Sequence, residues 1–148
     1  MQQPFTKTEY ADLVDKKSPN SPLVKNIICA FIIGGLICIL GQFITNYFLA
    51  RGVAKETVSS ITPVLLILLS VILTSLDLYD SIGKFAGAGS IVPITGFANS
   101  VASPAIEFKS EGLVLGLGAK MFTVAGPVLA YGLSASVIFG FIYFLLQF

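Results

Sequence analysis

The sequence predicts an all-α fold class: a small polytopic membrane protein with three to four membrane segments, one of them broken by glycine and proline or re-entrant. Three observations predict it. Of the 148 residues, 55% are hydrophobic and only 11% are charged, whereas a typical soluble chain is about one quarter charged. Seven of the charged residues precede Asn26 and none follows Lys120. Three tracts carry no charge at all, Asn26 to Ala50, Thr57 to Leu76 and Met121 to Phe148, and a bilayer crossing needs roughly 20 residues.

The same arithmetic sets aside several functions. A net charge of +1 provides no basic stripe to neutralise phosphates, so no nucleic-acid partner is expected. Histidine is absent, which removes the commonest general base and the commonest transition-metal ligand. The expectation is a protein that is not an enzyme, with no cofactor and no metal site. Cys29 and Cys38, nine residues apart on one expected helix, lie about half a turn out of phase. They read as packing residues.

Residues 1–25 form an expected cytoplasmic tail with a short amphipathic helix. It lacks the apolar core of a signal peptide, so cleavage is not expected. Thr6 and Glu9 have capping-box spacing, with Phe5 and Tyr10 at the flanking hydrophobic-staple positions. A helix from about Lys7 to Lys17 follows, with Tyr10, Leu13, Val14 and Lys17 on one side. It suits a membrane interface or a docking partner equally with a solvated tail. The run Ser18-Pro19-Asn20-Ser21-Pro22 stops it. Lys7, Lys16, Lys17 and Lys25 outnumber Arg51 and Lys55 across the first span, which places the N-terminus in the cytoplasm.

Residues 26–148 read as one helical membrane domain with spans at about 26–50, 57–76 and 121–146 and a broken segment at 85–106. That segment is uncharged, yet it holds glycine at 87, 89 and 96 and proline at 93 and 104. Pro93 lacks a backbone donor and frees a carbonyl, and the glycines weaken the helix further. Non-helical backbone survives at membrane depth only where protein or a water-filled cavity satisfies it, so the segment should face the protein interior. Residues 112–148 exceed one simple crossing. Either the stretch from Gly112 lies along the interface, or a break near Gly126-Pro127 bends the helix.

Polar residues inside the spans are few: Gln42, Thr45 and Asn46, then Ser70 and Thr74, then Thr95, Asn99 and Ser100. Serine and threonine can bond back to their own helix, so Gln42 and Asn99 are the stronger candidates for lining a solute pathway. A break around Gly89 to Pro93 would start a half-helix with Ser90 near its cap and Pro93 in its first turn. Its free N–H groups would suit an anionic solute such as a carboxylate. The expected pathway set is therefore Gln42, Gly87, Gly89, Ser90, Pro93, Thr95 and Asn99, with Gly87 and Gly89 supplying backbone freedom. Lys84, Asp80, Glu107 and Lys109 would stand at the pore mouths. Asp77 with Asp80, and Glu107 with Glu111, could share helix faces and hold a hard cation or carry protons, although such pairs are more often solvated loops. Small residues recur every fourth position at Gly83 and Gly87, Gly112 and Gly116, and Gly132, Ser136 and Gly140, a pattern that lets helices approach closely in lipid and favours assembly into an oligomer.

These residues resemble a known family. Gly34-Gly35-Leu36-Ile37-Cys38 with Gly41-Gln42, Leu78-Tyr79-Asp80, the long motif from Phe85 to Ser90 leading to Val92 to Ser100, and Glu107 to Gly116 are similar to the stage V sporulation AC family (SpoVAC) and to the related AE membrane subunits (SpoVAEB). The likeness extends from about Leu23 onward. It implies a subunit of the SpoVA complex in the inner membrane of the endospore, a channel complex that moves dipicolinic acid with calcium during sporulation and germination, with membrane tension as the implied gate. The implied partners are the soluble AD subunit, the AE membrane subunit and membrane lipid, in a homo- or hetero-oligomer. The alternative is a non-conducting scaffold that anchors a soluble dipicolinate-binding partner. No site residue is carried over from the family, so the pathway set above rests on the residues alone.

Overall fold

The structure is a computed structural model and describes residues 6–18 and 21–147. It is all-helical among the described residues: α1 (Lys7–Lys17), α2 (Leu23–Ala50), α3 (Lys55–Ser75), α4 (Tyr79–Ala86), α5 (Ala88–Ile91), α6 (Ile94–Glu107) and α7 (Ala119–Leu146). A 3₁₀ turn (Phe108–Glu111) and a π-helical turn (Leu113–Gly118) join α6 to α7. Three stretches are long and apolar enough to cross a membrane: Leu23–Ala50, Lys55–Ser75 and Leu113–Leu146.

The capping box starts α1. The Thr6 N–H donates to Glu9 Oε2 at 2.9 Å and the Glu9 N–H donates to Thr6 Oγ1 at 3.3 Å. Phe5, half of the expected staple, and Pro19 and Asn20, part of the expected stop, lie outside the described residues. The helix ends at Ser18, whose N–H reaches the Val14 carbonyl. Tyr10, Leu13 and Val14 are all exposed.

α2 and α3 form an antiparallel hairpin. Thr45 Oγ1 lies 2.9 Å from Thr62 Oγ1, and one turn away Leu66 fills the notch left by Gly41, where an added Cβ would stand 3.4 Å from Leu66 Cδ1. The connection turns at Gly52, at φ +80°. Before that turn Arg51 packs over the Tyr47 ring at 4.8 Å, a pairing suited to a membrane interface.

α6 runs parallel to α3, not antiparallel. Ser70 meets Thr95 and Thr74 meets Asn99, so both helices advance by one turn in the same direction. Both therefore end on the same side. With 14 residues, α6 is only about 21 Å long, too short to cross a core of about 30 Å. The segment at 85–106 thus re-enters: the chain arrives with α3, folds back through α4 and α5, and leaves along α6 on the side where α3 ended.

Two breaks produce this path. Gly87, between α4 and α5, adopts φ +52° and ψ −125°, a conformation that essentially only glycine enters freely. Pro93, at ψ 162°, is the N-cap of α6, one position earlier than the first-turn place expected for it. Its extended backbone turns the chain, and the helix restarts at Ile94. Ser90 is not a cap either. It sits inside α5, and its hydroxyl donates to the Gly87 carbonyl at 3.1 Å, three residues back, a reach common for serine.

Gly89 also differs from expectation. It is a packing contact, not a hinge. A Cβ there would collide with the Ala30 carbonyl and stand 2.7 Å from Ala30 Cα, while Gly34 on the next turn of α2 faces the Gly89 carbonyl. The small residues Ala30, Gly34 and Gly89 let the backbones of α2 and α5 touch.

The final helix continues through Gly126-Pro127 without ending. Its π-helical start is anchored by Gly116, where a Cβ would stand 2.6 Å from the Phe108 carbonyl, and by Lys120 over the Phe108 ring at 4.3 Å. Met121 lies beside Ala105 and Ile106. From Val128 to Gln147 every residue is exposed. Lengths account for this: α7, with 28 residues, is about 42 Å long, twice the length of α6. Three crossings leave α1 and the far end of α7 on opposite faces of the membrane.

Two outcomes are expected. Gly89→Ala should lower thermal stability in detergent by about 1–3 kcal/mol, the usual cost of overpacking, whereas Gly35→Ala, with nothing within 4 Å, should leave it unchanged. The second concerns α1. The Thr6 backbone N–H, and then its hydroxyl, hold the Glu9 carboxyl below its ordinary value of 4.5. A carboxyl lowered on folding stabilises the folded form above its ordinary value and loses that contribution as pH falls through the lowered one. Hydrogen exchange of α1 amides should therefore accelerate on acidification below pH 4.5, beyond the intrinsic pH effect, and Glu9→Ala should abolish that dependence.

Candidate functional site: a buried polar seam and an outward amide pair

Three carbonyls around the breaks accept from hydroxyls. Ser70, fully buried in α3, donates to the Thr95 carbonyl at 2.6 Å. Tyr79, at the start of α4, donates to the Ser90 carbonyl at 2.9 Å. Ser90 supplies Gly87. Protein side chains thus replace the water that a bilayer lacks.

Asn99 extends this seam by one turn. Thr74 Oγ1 lies 2.8 Å from the Ser70 carbonyl and 2.9 Å from the Asn99 side-chain oxygen. A threonine has one O–H to donate. Both contacts are satisfied when the Asn99 amide is turned so that its NH₂ donates to Thr74 and Thr74 donates to Ser70.

The expected pathway residues therefore separate into two groups. Gly89, Ser90 and Thr95 are buried, while Pro93 and Asn99 are half-buried. These five residues lie along the contacts of the re-entrant segment with α2, α3 and α4. Gly87 is exposed at the turn. Gln42 stands apart on α2, where its Nε2 donates to Asn46 Oδ1 at 2.8 Å and both residues are exposed. That bond uses only part of the capacity of two amides. The four-residue spacing thus gives Gln42 a partner on its own helix.

The charged candidates lie on the surface. Asp80 and Lys84 form an exposed ion pair at 2.6 Å across one turn of α4. The Asp80 hydrogen bond, then its charge, raises the Lys84 ammonium above its usual range. Exposed pairs of this kind contribute little to stability. Asp77, at φ +58°, occupies the turn between α3 and α4, so it does not share a helix face with Asp80. Glu107 closes α6, while Lys109 and Glu111 belong to the 3₁₀ turn, and the second acidic pair is likewise divided.

Sequence reasoning missed Tyr79 and Ala30. Tyr79 acts eleven residues away across the helix break at Gly87, and no periodicity carries that signal. Ala30 belongs to a small-residue pattern, with Gly34 one turn on, that was visible in the chain.

Residues 26–142 match the sequence model of the SpoVAC/SpoVAEB sporulation membrane protein family. The chain belongs to that family. It is also 48% identical over 139 residues to stage V sporulation protein AC of Bacillus subtilis (strain 168), which covers 93% of each chain. No solved structure gives a significant match. This SpoVAC/SpoVAEB member is a sporulation membrane protein, and the matched region takes in the whole re-entrant segment while leaving α1 outside.

Tyr79→Phe removes a donor from a buried carbonyl and should cost about 1–3 kcal/mol, measured by thermal unfolding in detergent. Thr123→Val is the control. The Thr123 hydroxyl reaches only its own helix, at Ala119, and its loss should leave stability within error.

Proposed function

We propose that this SpoVAC/SpoVAEB protein is a subunit of a channel complex in the spore inner membrane that passes dipicolinic acid, with calcium, during sporulation and germination. The passage lies between subunits, against the Gln42 and Asn46 face of α2. The observation that carries this reading is the outward amide pair. Gln42 lies eight residues, about 12 Å, before the end of α2, on a surface otherwise covered by side chains such as Phe31, Ile39 and Phe43. Incompletely bonded amides at membrane depth call for a partner helix or a water-filled path.

Neutral amides suit a conduit. They donate to the carboxylates of a passing solute, yet bind it weakly enough to release it. The reading assigns the protein no catalytic step. It takes the α1 side as the cytoplasmic or core side, where α1 can meet the soluble AD subunit, and the AE membrane subunit as the neighbour that completes the wall. Gly87, the exposed turn, and Lys84, Asp80, Glu107 and Lys109 lie on that same side, where solute enters.

The test is efflux of calcium dipicolinate from vesicles. Gln42→Leu with Asn46→Leu should reduce efflux at least several-fold with normal membrane insertion. Cysteine at position 42, in a chain lacking Cys29 and Cys38, should react with a membrane-impermeant thiol reagent. Unchanged efflux would overturn the reading. A second reading is a scaffold that anchors a soluble dipicolinate-binding partner while another chain conducts. The exposed apolar side of α1 favours it, and efflux appearing only with the AE subunit, and insensitive to the two leucines, would select it.

A further inference from the structure

Between α2, α3, α4 and the first turn of α6 lies a cavity of about 270 Å³. Its walls are aliphatic, with Ile33 and Ile37 on one side and Leu66 and Leu73 on the other. Three polar residues border it: Ser70, Tyr79 and Thr95. Two of them are occupied, since Ser70 donates to the Thr95 carbonyl and Tyr79 to the Ser90 carbonyl.

Thr95 differs. Its Oγ1 is buried and has no hydrogen-bond partner among the described residues. In an unbroken helix this hydroxyl would bond to the carbonyl four residues back. That residue is Ile91, on the far side of the Pro93 break. The fold therefore leaves one buried donor in need of an acceptor. A rotation about χ1 carries Oγ1 to another staggered position, and Thr95 lines the cavity.

The cavity has a side facing the bilayer. Leu36, Leu40 and Leu69 line it and are also 55%, 37% and 38% exposed. Its polarity runs in one direction. The Ser70 and Thr95 contact lies toward the end of α3, while Leu66, beside Gly41, lies one turn deeper. We infer that this cavity holds one acyl chain of a membrane phospholipid, entering past Leu36 and Leu69, with its ester carbonyl toward the Thr95 hydroxyl and its hydrocarbon toward Leu66. The order of polar and apolar walls matches a lipid of the leaflet on the α3-end side. The volume is just below the usual range of ligand pockets, room for part of one chain, and the aliphatic walls disfavour a polar headgroup.

The experiment uses the full chain in vesicles of phosphatidylethanolamine and phosphatidylglycerol containing a trace of phosphatidylglycerol with a diazirine in mid-chain, followed by irradiation and peptide mapping. Leu36, Leu40 and Leu66 should be labelled several-fold more than Leu133 and Leu146, which are more exposed on α7. Ile37→Phe or Leu73→Phe, each filling the space, should bring cavity labelling down to the α7 level without altering α7. Thr95→Val should reduce cavity labelling by the ester-linked probe and leave that by an ether-linked analogue, which lacks the carbonyl, unchanged. Equal labelling of cavity and α7 overturns the proposal, as does cavity labelling that both filling variants leave intact. Thr95→Val acting alike on the two probes, or on neither, overturns the assigned orientation.

Discussion

A carbonyl freed by a helix break inside a bilayer has no water to turn to, and this constraint organises the structure. The chain breaks twice in a short space, at Gly87 and at Pro93. Hydroxyls stand close to both breaks. Ser70 comes from α3, Tyr79 from α4 and Ser90 from α5 itself. With backbone N–H groups such as those of Ser90 and Ile91 on the Gly87 carbonyl, these donors satisfy polar backbone that lipid would leave unpaired. The close contact of Gly89 with Ala30 serves the same end, since it brings α5 against α2 and closes the seam from the other side.

Much of this fold is legible in the sequence, for identifiable reasons. Long uncharged tracts declare the spans, since no other environment tolerates them. Glycine and proline declare the breaks, because their backbone preferences act locally. Thr6 and Glu9 declare the start of α1 in the same local way. The direction in which a polar side chain points is not local. Gln42 and Asn99 look equally promising as pathway residues, yet Asn99 meets a threonine 25 positions earlier while Gln42 turns outward with its neighbour one turn on. Only the parallel pairing of α3 with α6 separates them.

The two central glycines teach the same lesson. Gly87 and Gly89 stand one residue apart, and the sequence assigns both a hinge role. One adopts a backbone conformation that side chains avoid. The other is an ordinary helical residue whose missing side chain makes room for a neighbouring backbone. A glycine signals that a Cβ is unwelcome, and the fold decides whether torsion or proximity is the reason.

Because α4, α5 and α6 enter and leave from one face, the protein displaces unequal amounts of lipid in the two leaflets. One half of its thickness contains the whole re-entrant fold as well as the crossing helices, while the other contains little beyond α2, α3 and the bare end of α7. A body of that wedge-like cross-section feels the lateral pressure of the two leaflets differently. Membrane curvature, or a stretch that thins one leaflet more than the other, therefore bears directly on the packing around Gly87 and Pro93.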